Sequence, residues 1–101
     1  MKYDYENGNL KVKLEEELDI NSCKILRNVI DGYIMKYQPE ELEMDLSEVK
    51  FMDSSGIGLL MGRYNLIKLM SSKMVIKNPS YNIKRIIELS NISKDITLRC
   101  E

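Results

Sequence analysis

The 101-residue chain has no histidine and no tryptophan, and only one phenylalanine, two prolines and two cysteines. Without histidine, neither a Ser-His-Asp nor a Cys-His relay can form, which removes most hydrolase mechanisms. Cys23 and Cys100 are too few for a disulfide framework and lack metal-ligand spacing. They are expected to be reduced thiols, buried or half-buried. No apolar run approaches the ~18 residues that a membrane span needs, and the opening Met-Lys-Tyr-Asp-Tyr-Glu lacks the apolar core of a signal peptide. A cytoplasmic protein without membrane insertion is the expectation. An excess of one charge is missing too. Basic and acidic residues number 15 and 16, mixed along the chain, so direct nucleic-acid binding has no electrostatic basis.

What is present fits one small globular domain over residues 1–101, with 44% hydrophobic and 31% charged content. Asn7-Gly8-Asn9 separates two extended stretches, Tyr3 to Glu6 and Leu10 to Glu15, which predicts a hairpin. Leu10, Val12 and Leu14 alternate with Lys11, Lys13 and Glu15, the pattern of a strand buried on one face. Asn21 or Ser22 can cap a helix whose apolar stripe is Cys23, Leu26, Val29, Ile30, Tyr33, Ile34 and Tyr37, ended by Gln38-Pro39. Leu42, Met44 and Leu46 alternate with Glu41, Glu43 and Asp45 in a further strand. A helix runs from the Ser54 turn to about Ser72, with Arg63, Asn65 and Lys68 expected on its wet side. Met74-Val75-Ile76 is a short strand, Asn78-Pro79-Ser80 opens a third helix through Leu89, and Ile96, Leu98 and Cys100 make a last strand.

The order β-β-α-β-α-β-α-β implies right-handed crossovers. The fold class expected is α/β, a mixed and mostly parallel sheet with one antiparallel edge. Three strands alternate apolar and charged residues instead of reading as continuous apolar runs, so the helices should lie mainly on one face. Lys11, Lys13, Glu15, Glu41, Glu43 and Asp45 would then line the other.

The junction Phe51-Met52-Asp53-Ser54-Ser55-Gly56-Ile57-Gly58 lies between a strand and a helix. The first N–H groups of a helix lack internal partners and carry partial positive charge, so an added negative group is tolerated there. Ser54 is thus a candidate phosphorylation site. Ser and Asp are also ordinary N-capping residues, and the residues alone leave both readings open. Gly56 and Gly58 would let another backbone approach the helix start, or would serve close packing of this helix on the sheet. Asp19 follows the second strand, at the end of the sheet where the Ser54 turn should emerge.

These residues carry a resemblance. Asp45-Leu46-Ser47, Met52 to Gly58 and Gly62-Arg63-Tyr64 resemble the signature of bacterial anti-sigma factor antagonists, which are STAS domains. The Gly-Arg-Tyr ending points to the sporulation members. Weaker similarity at Glu17-Leu18-Asp19 and from Pro79 to Ile92 extends it over about residues 9 to 99. Glu16 and Asn91 stand where the family has glycine, and Asn is the next most tolerant residue of a left-handed conformation. The chain stops at Glu101, where sporulation members continue into a C-terminal helix, so the surface under that helix is expected to be bare or remodelled.

The resemblance implies a regulatory binding module and no enzyme. Its unphosphorylated form would bind an anti-sigma factor that is also a serine kinase, freeing a sporulation sigma factor. Phosphorylation of Ser54 would inactivate it, and a metal-dependent serine phosphatase would restore it. Asp19, Asp53, Ser55, Gly56, Ile57 and Gly58 would contact the partner, although Asp19 reads equally as a turn residue. A general-stress or other paralogue is the near alternative. A small nucleotide-binding α/β domain using the Ser54 loop as an anion site is the distant one, and the loop lacks the lysine of a phosphate-binding loop. No cofactor or metal is implied. Gly56, Gly58 and Gly62 do not make a dinucleotide fingerprint, because the third glycine comes one place too late. Nor is the serine turn a nucleophile elbow, since Met52 occupies the place of its first glycine.

Overall fold

The computed structural model describes residues 1–92 and 96–101. Strand β1 (Lys2–Glu6) turns back into β2 (Asn9–Lys13) through Asn7 and Gly8, whose φ values of 51° and 82° are the paired left-handed residues of a two-residue hairpin. Then follow α1 (Ile20–Tyr37), β3 (Glu41–Asp45), α2 (Ser54–Leu69), β4 (Lys73–Lys77), α3 (Tyr81–Leu89) and β5 (Thr97–Arg99). The five strands lie in sequence order, with β1 antiparallel to β2 and the other pairs parallel. This is the mixed, mostly parallel sheet with one antiparallel edge that the order of elements predicts.

Alternation fixes which face is covered. Leu10, Val12, Leu42, Met44, Met74 and Ile76 are buried in one cluster with Leu26, Ile30 and Ile34 of α1, Leu60 and Ile67 of α2, and Ile83 and Ile87 of α3. At the β1 edge, Tyr3 stacks on Tyr33 and Tyr5 on Tyr37, with ring centroids 3.9 and 4.5 Å apart. Asp4, Lys11, Glu43 and Val75 occupy one row across the opposite face. Glu43 is expected to be solvated there, yet only 7% of it is exposed, because it sits in mid-sheet between Lys11 and Val75.

Several boundaries differ from expectation. The α1 cap is Asp19, not Asn21 or Ser22: its Oδ1 accepts from Ser22 N–H at 2.9 Å. Val29 falls outside the buried stripe and is 38% exposed. Helix α2 ends at Leu69, short of Ser72. Cys23 is buried as expected, but Cys100 lies beyond β5 and is exposed. Arg63, placed on the wet side of α2, is instead 5% exposed. Among the described residues, no helix is long and apolar enough to cross a membrane.

Candidate functional site

Beyond the paired strands, the β2–α1 and β3–α2 connections are tied together. Leu18 and Met52 form an isolated parallel bridge, in which Leu18 N–H donates to Phe51 C=O at 3.0 Å and Asp53 N–H to Leu18 C=O at 3.2 Å. The next residue on each side is an N-cap. Asp19 caps α1, and Asp53 caps α2 by accepting from Ser55 N–H at 2.7 Å. The bridge therefore sets two helix starts side by side, each with its own carboxylate satisfying one orphan N–H.

Ser54 is the first residue of α2 and is exposed. Because Asp53 does the capping, the Ser54 hydroxyl is not needed for it, and it makes no hydrogen bond among the described residues. Ser55 is half-buried. Gly56 is buried for a steric reason: a Cβ there would collide with Met52 Cγ and come within 3.0 Å of Leu18 Cβ. Its close packing is against the bridge that carries the two caps. Ile57 is half-buried, and Gly58 is exposed with nothing within 4 Å of a Cβ position. The structure thus gathers Asp19, Asp53, Ser54, Ser55, Gly56, Ile57 and Gly58 at one end of the sheet.

A groove of about 270 Å³ runs beside this turn between α1 and α2, lined by Ile20, Cys23, Lys24, Arg27, Ser55, Gly58 and Leu59. Burial pushes the Cys23 thiol pKa up, and the charges of Asp53 and Asp19 push it further. Further along the helix pair, Arg63 Nε lies 2.7 Å from Asp31 Oδ1 and Nη1 donates to Leu59 C=O at 3.4 Å. The Arg63–Asp31 approach is a charge contact without hydrogen-bond alignment. Burial pulls the Arg63 pKa down, Asp31 draws it back up, and Arg27 lowers it again. Lys24, Arg27 and the Arg63–Asp31 pair were not readable as site residues. Their only signal is that Ile20, Lys24, Arg27 and Asp31 recur at helical spacing, which does not say what they face.

Comparison with known proteins agrees with this geometry. The STAS domain model matches residues 2–100. An anti-sigma F factor antagonist of Paenibacillus polymyxa is 32% identical over 91 residues, covering 90% of this chain and 78% of the relative. An anti-sigma-B factor antagonist of Bacillus subtilis is 26% identical over 89 residues, covering 88% and 79%. The fold superimposes on the anti-sigma factor antagonist SpoIIAA in its unphosphorylated form with a TM-score of 0.83 at 21% identity, covering 96% of this chain and 85% of that one. The phosphorylated form of the Bacillus cell fate determinant SpoIIAA gives 0.75 at 21% identity, covering 96% and 88%. A family match over nearly the whole chain and a relative at 32% identity place this protein in the STAS family, among the anti-sigma factor antagonists.

Proposed function

We propose that this protein is a phosphorylation-controlled binding module of the cytoplasm, without catalysis of its own, that frees a sporulation sigma factor. Its unphosphorylated form binds an anti-sigma factor that is also a serine kinase. That kinase inactivates it by phosphorylating Ser54, and a metal-dependent serine phosphatase reverses the modification. The observation that carries the reading is the exposed Ser54 hydroxyl at the start of α2, with capping left to Asp53. The existence of a structural neighbour in unphosphorylated and phosphorylated forms supports it.

The switch acts locally. A phosphate brings a charge of about −1.5 to −2 to a helix N-terminus, where an exposed anion is favoured by roughly 0.3–1 kcal/mol. The fold tolerates it. At an interface made by Asp19, Asp53, Ser55, Gly56, Ile57 and Gly58, the same group adds bulk and unpaired charge. A loss of about 2.7 kcal/mol suffices for a hundredfold weakening.

Incubation with ATP and the cognate kinase, followed by peptide mass spectrometry, tests the assignment. One phosphate on Ser54 and none on Ser54→Ala is the expected result; phosphate on Ser55 overturns it. The sigma-B relative favours a second reading, in which the sigma factor is a general-stress one. Calorimetric titration against anti-sigma-F and anti-sigma-B kinases separates the two.

A further inference from the structure

The groove beside the serine turn holds positive charge that the fold does not use. Lys24 and Arg27 line its α1 wall, opposite Ser55, Gly58 and Leu59 of α2. Among the described residues, no carboxylate lies within 4.0 Å of either cation, whereas Asp31 on the same flank is taken by Arg63. Both cations are exposed and free to swing across the groove. Gly58 keeps the way open. It follows Ser54 by one helical turn, on neighbouring positions of the same face, and a Cβ there meets nothing within 4 Å.

Resting on the reading that Ser54 is phosphorylated, we propose that Lys24 and Arg27 are internal counter-ions that hold the Ser54 phosphate across the groove, over Gly58. The groove of about 270 Å³ is lined by Ser55, next to Ser54, and by Gly58, one turn further along α2, so a phosphoryl group on Ser54 stands at its edge. The need for cations is set by the acids close by. Asp19 and Asp53 cap the two helix starts that the Leu18–Met52 bridge sets side by side, and a phosphate on the residue after Asp53 meets these like charges. Arg63 and Asp31 offset each other along the helix pair. Lys24 and Arg27 are therefore the cations left in the groove lining to balance it. Capture has a second effect: the phosphate occupies two positive side chains beside the docking surface, so one modification both adds a negative group and withdraws two cations from a partner.

The test uses full-length protein with phosphoserine installed at position 54 during translation. It does not depend on the cognate kinase, so a kinase that ignores Ser54 would defeat the proposed function and leave this experiment intact. Phosphorus NMR follows the second ionisation of the phosphate against pH at low salt. The midpoint in the parent should lie roughly 0.5–1 unit below that in Lys24→Ala/Arg27→Ala, since nearby cations favour the doubly charged form. The gap should close in about 0.5 M salt, where exposed charges are screened. Lys24→Arg/Arg27→Lys should keep the parent midpoint and guards against misfolding of the alanine variant. Equal midpoints in parent and alanine variant overturn the proposal. So does an equal rise in Lys50→Ala/Lys73→Ala, whose cations lie outside the groove.

Discussion

Gly56 and Gly58 are two residues apart in one helix, and the same substitution should move stability in opposite directions. At Gly56 a methyl group would collide with Met52 Cγ, approach Met52 Sδ to 2.7 Å and reach 3.0 Å from Leu18 Cβ. Met52 is 4% exposed and Leu18 fully buried, so neither can step aside into solvent. Overpacking of this kind costs about 1–3 kcal/mol, and replacing a helical glycine recovers about 1 kcal/mol. Overlap with two Met52 atoms puts this site at the upper end of that range, about 2–3 kcal/mol, so the net loss is about 1–2 kcal/mol, or a fall in Tm of roughly 4–16 °C for a chain of this size. At Gly58 the added methyl meets nothing within 4 Å, so only the gain of about 1 kcal/mol remains, with Tm higher by roughly 4–8 °C. Urea unfolding followed by circular dichroism reads both, with the slope m unchanged from the parent. Gly56→Ala as stable as the parent would mean that the Leu18–Met52 bridge yields freely, and a destabilised Gly58→Ala would mean that α2 is packed on its outer side. Either result refutes the reasoning. On the proposed function, Gly58→Ala should also bind the anti-sigma partner more weakly despite its greater stability, because its methyl stands beside Ser54 on the proposed docking surface.

Asp31→Ala should cost about 1–3 kcal/mol in chemical denaturation. It leaves Arg63, 5% exposed, without its charge partner, and the effect falls short of a fully buried pair because the Asp31 side chain is 34% exposed. Arg63→Met, which removes the buried charge and keeps the stem volume, should cost less than Asp31→Ala in the same assay. Asp53→Ala should lose about 1 kcal/mol with its cap, whereas Asp53→Asn should retain most of it; thermal unfolding separates them. The two thiols should differ in rate with a disulfide reagent at pH 8. Cys100 is exposed and should react first, while burial and the charges of Asp53 and Asp19 raise the Cys23 pKa and delay its thiolate to higher pH. Denatured protein should give two free thiols.

How much of this could be read beforehand depends on how far along the chain each feature's cause lies. Strands β2 and β3 and helices α1 and α3 declare themselves through periods of 2 and 3.6, because each gathers its apolar residues on one face and its polar and charged residues elsewhere, even where Glu43 of β3 ends up covered. Helix α2 does not. Its first turns are apolar nearly all round, so nothing local says which side meets the sheet, and Arg63, expected on the wet side, is buried beside Asp31 of α1. The caps teach the same lesson. Asp53 is readable as a cap candidate because it adjoins the helix it starts, but the local pattern points to Asn21 or Ser22 for α1, and the Leu18–Met52 bridge gives that place to Asp19. That bridge joins residues far apart in sequence, and it is also what makes a site of two separate loops. Ser54 was visible because its own neighbours set its position. Lys24 and Arg27 were not, because their role depends on which helix lies across the groove, and α2 begins more than two dozen residues later. The serine turn can therefore be recognised from a short motif, whereas the charges that surround it, and any regulation they supply, are properties of the packed helix pair.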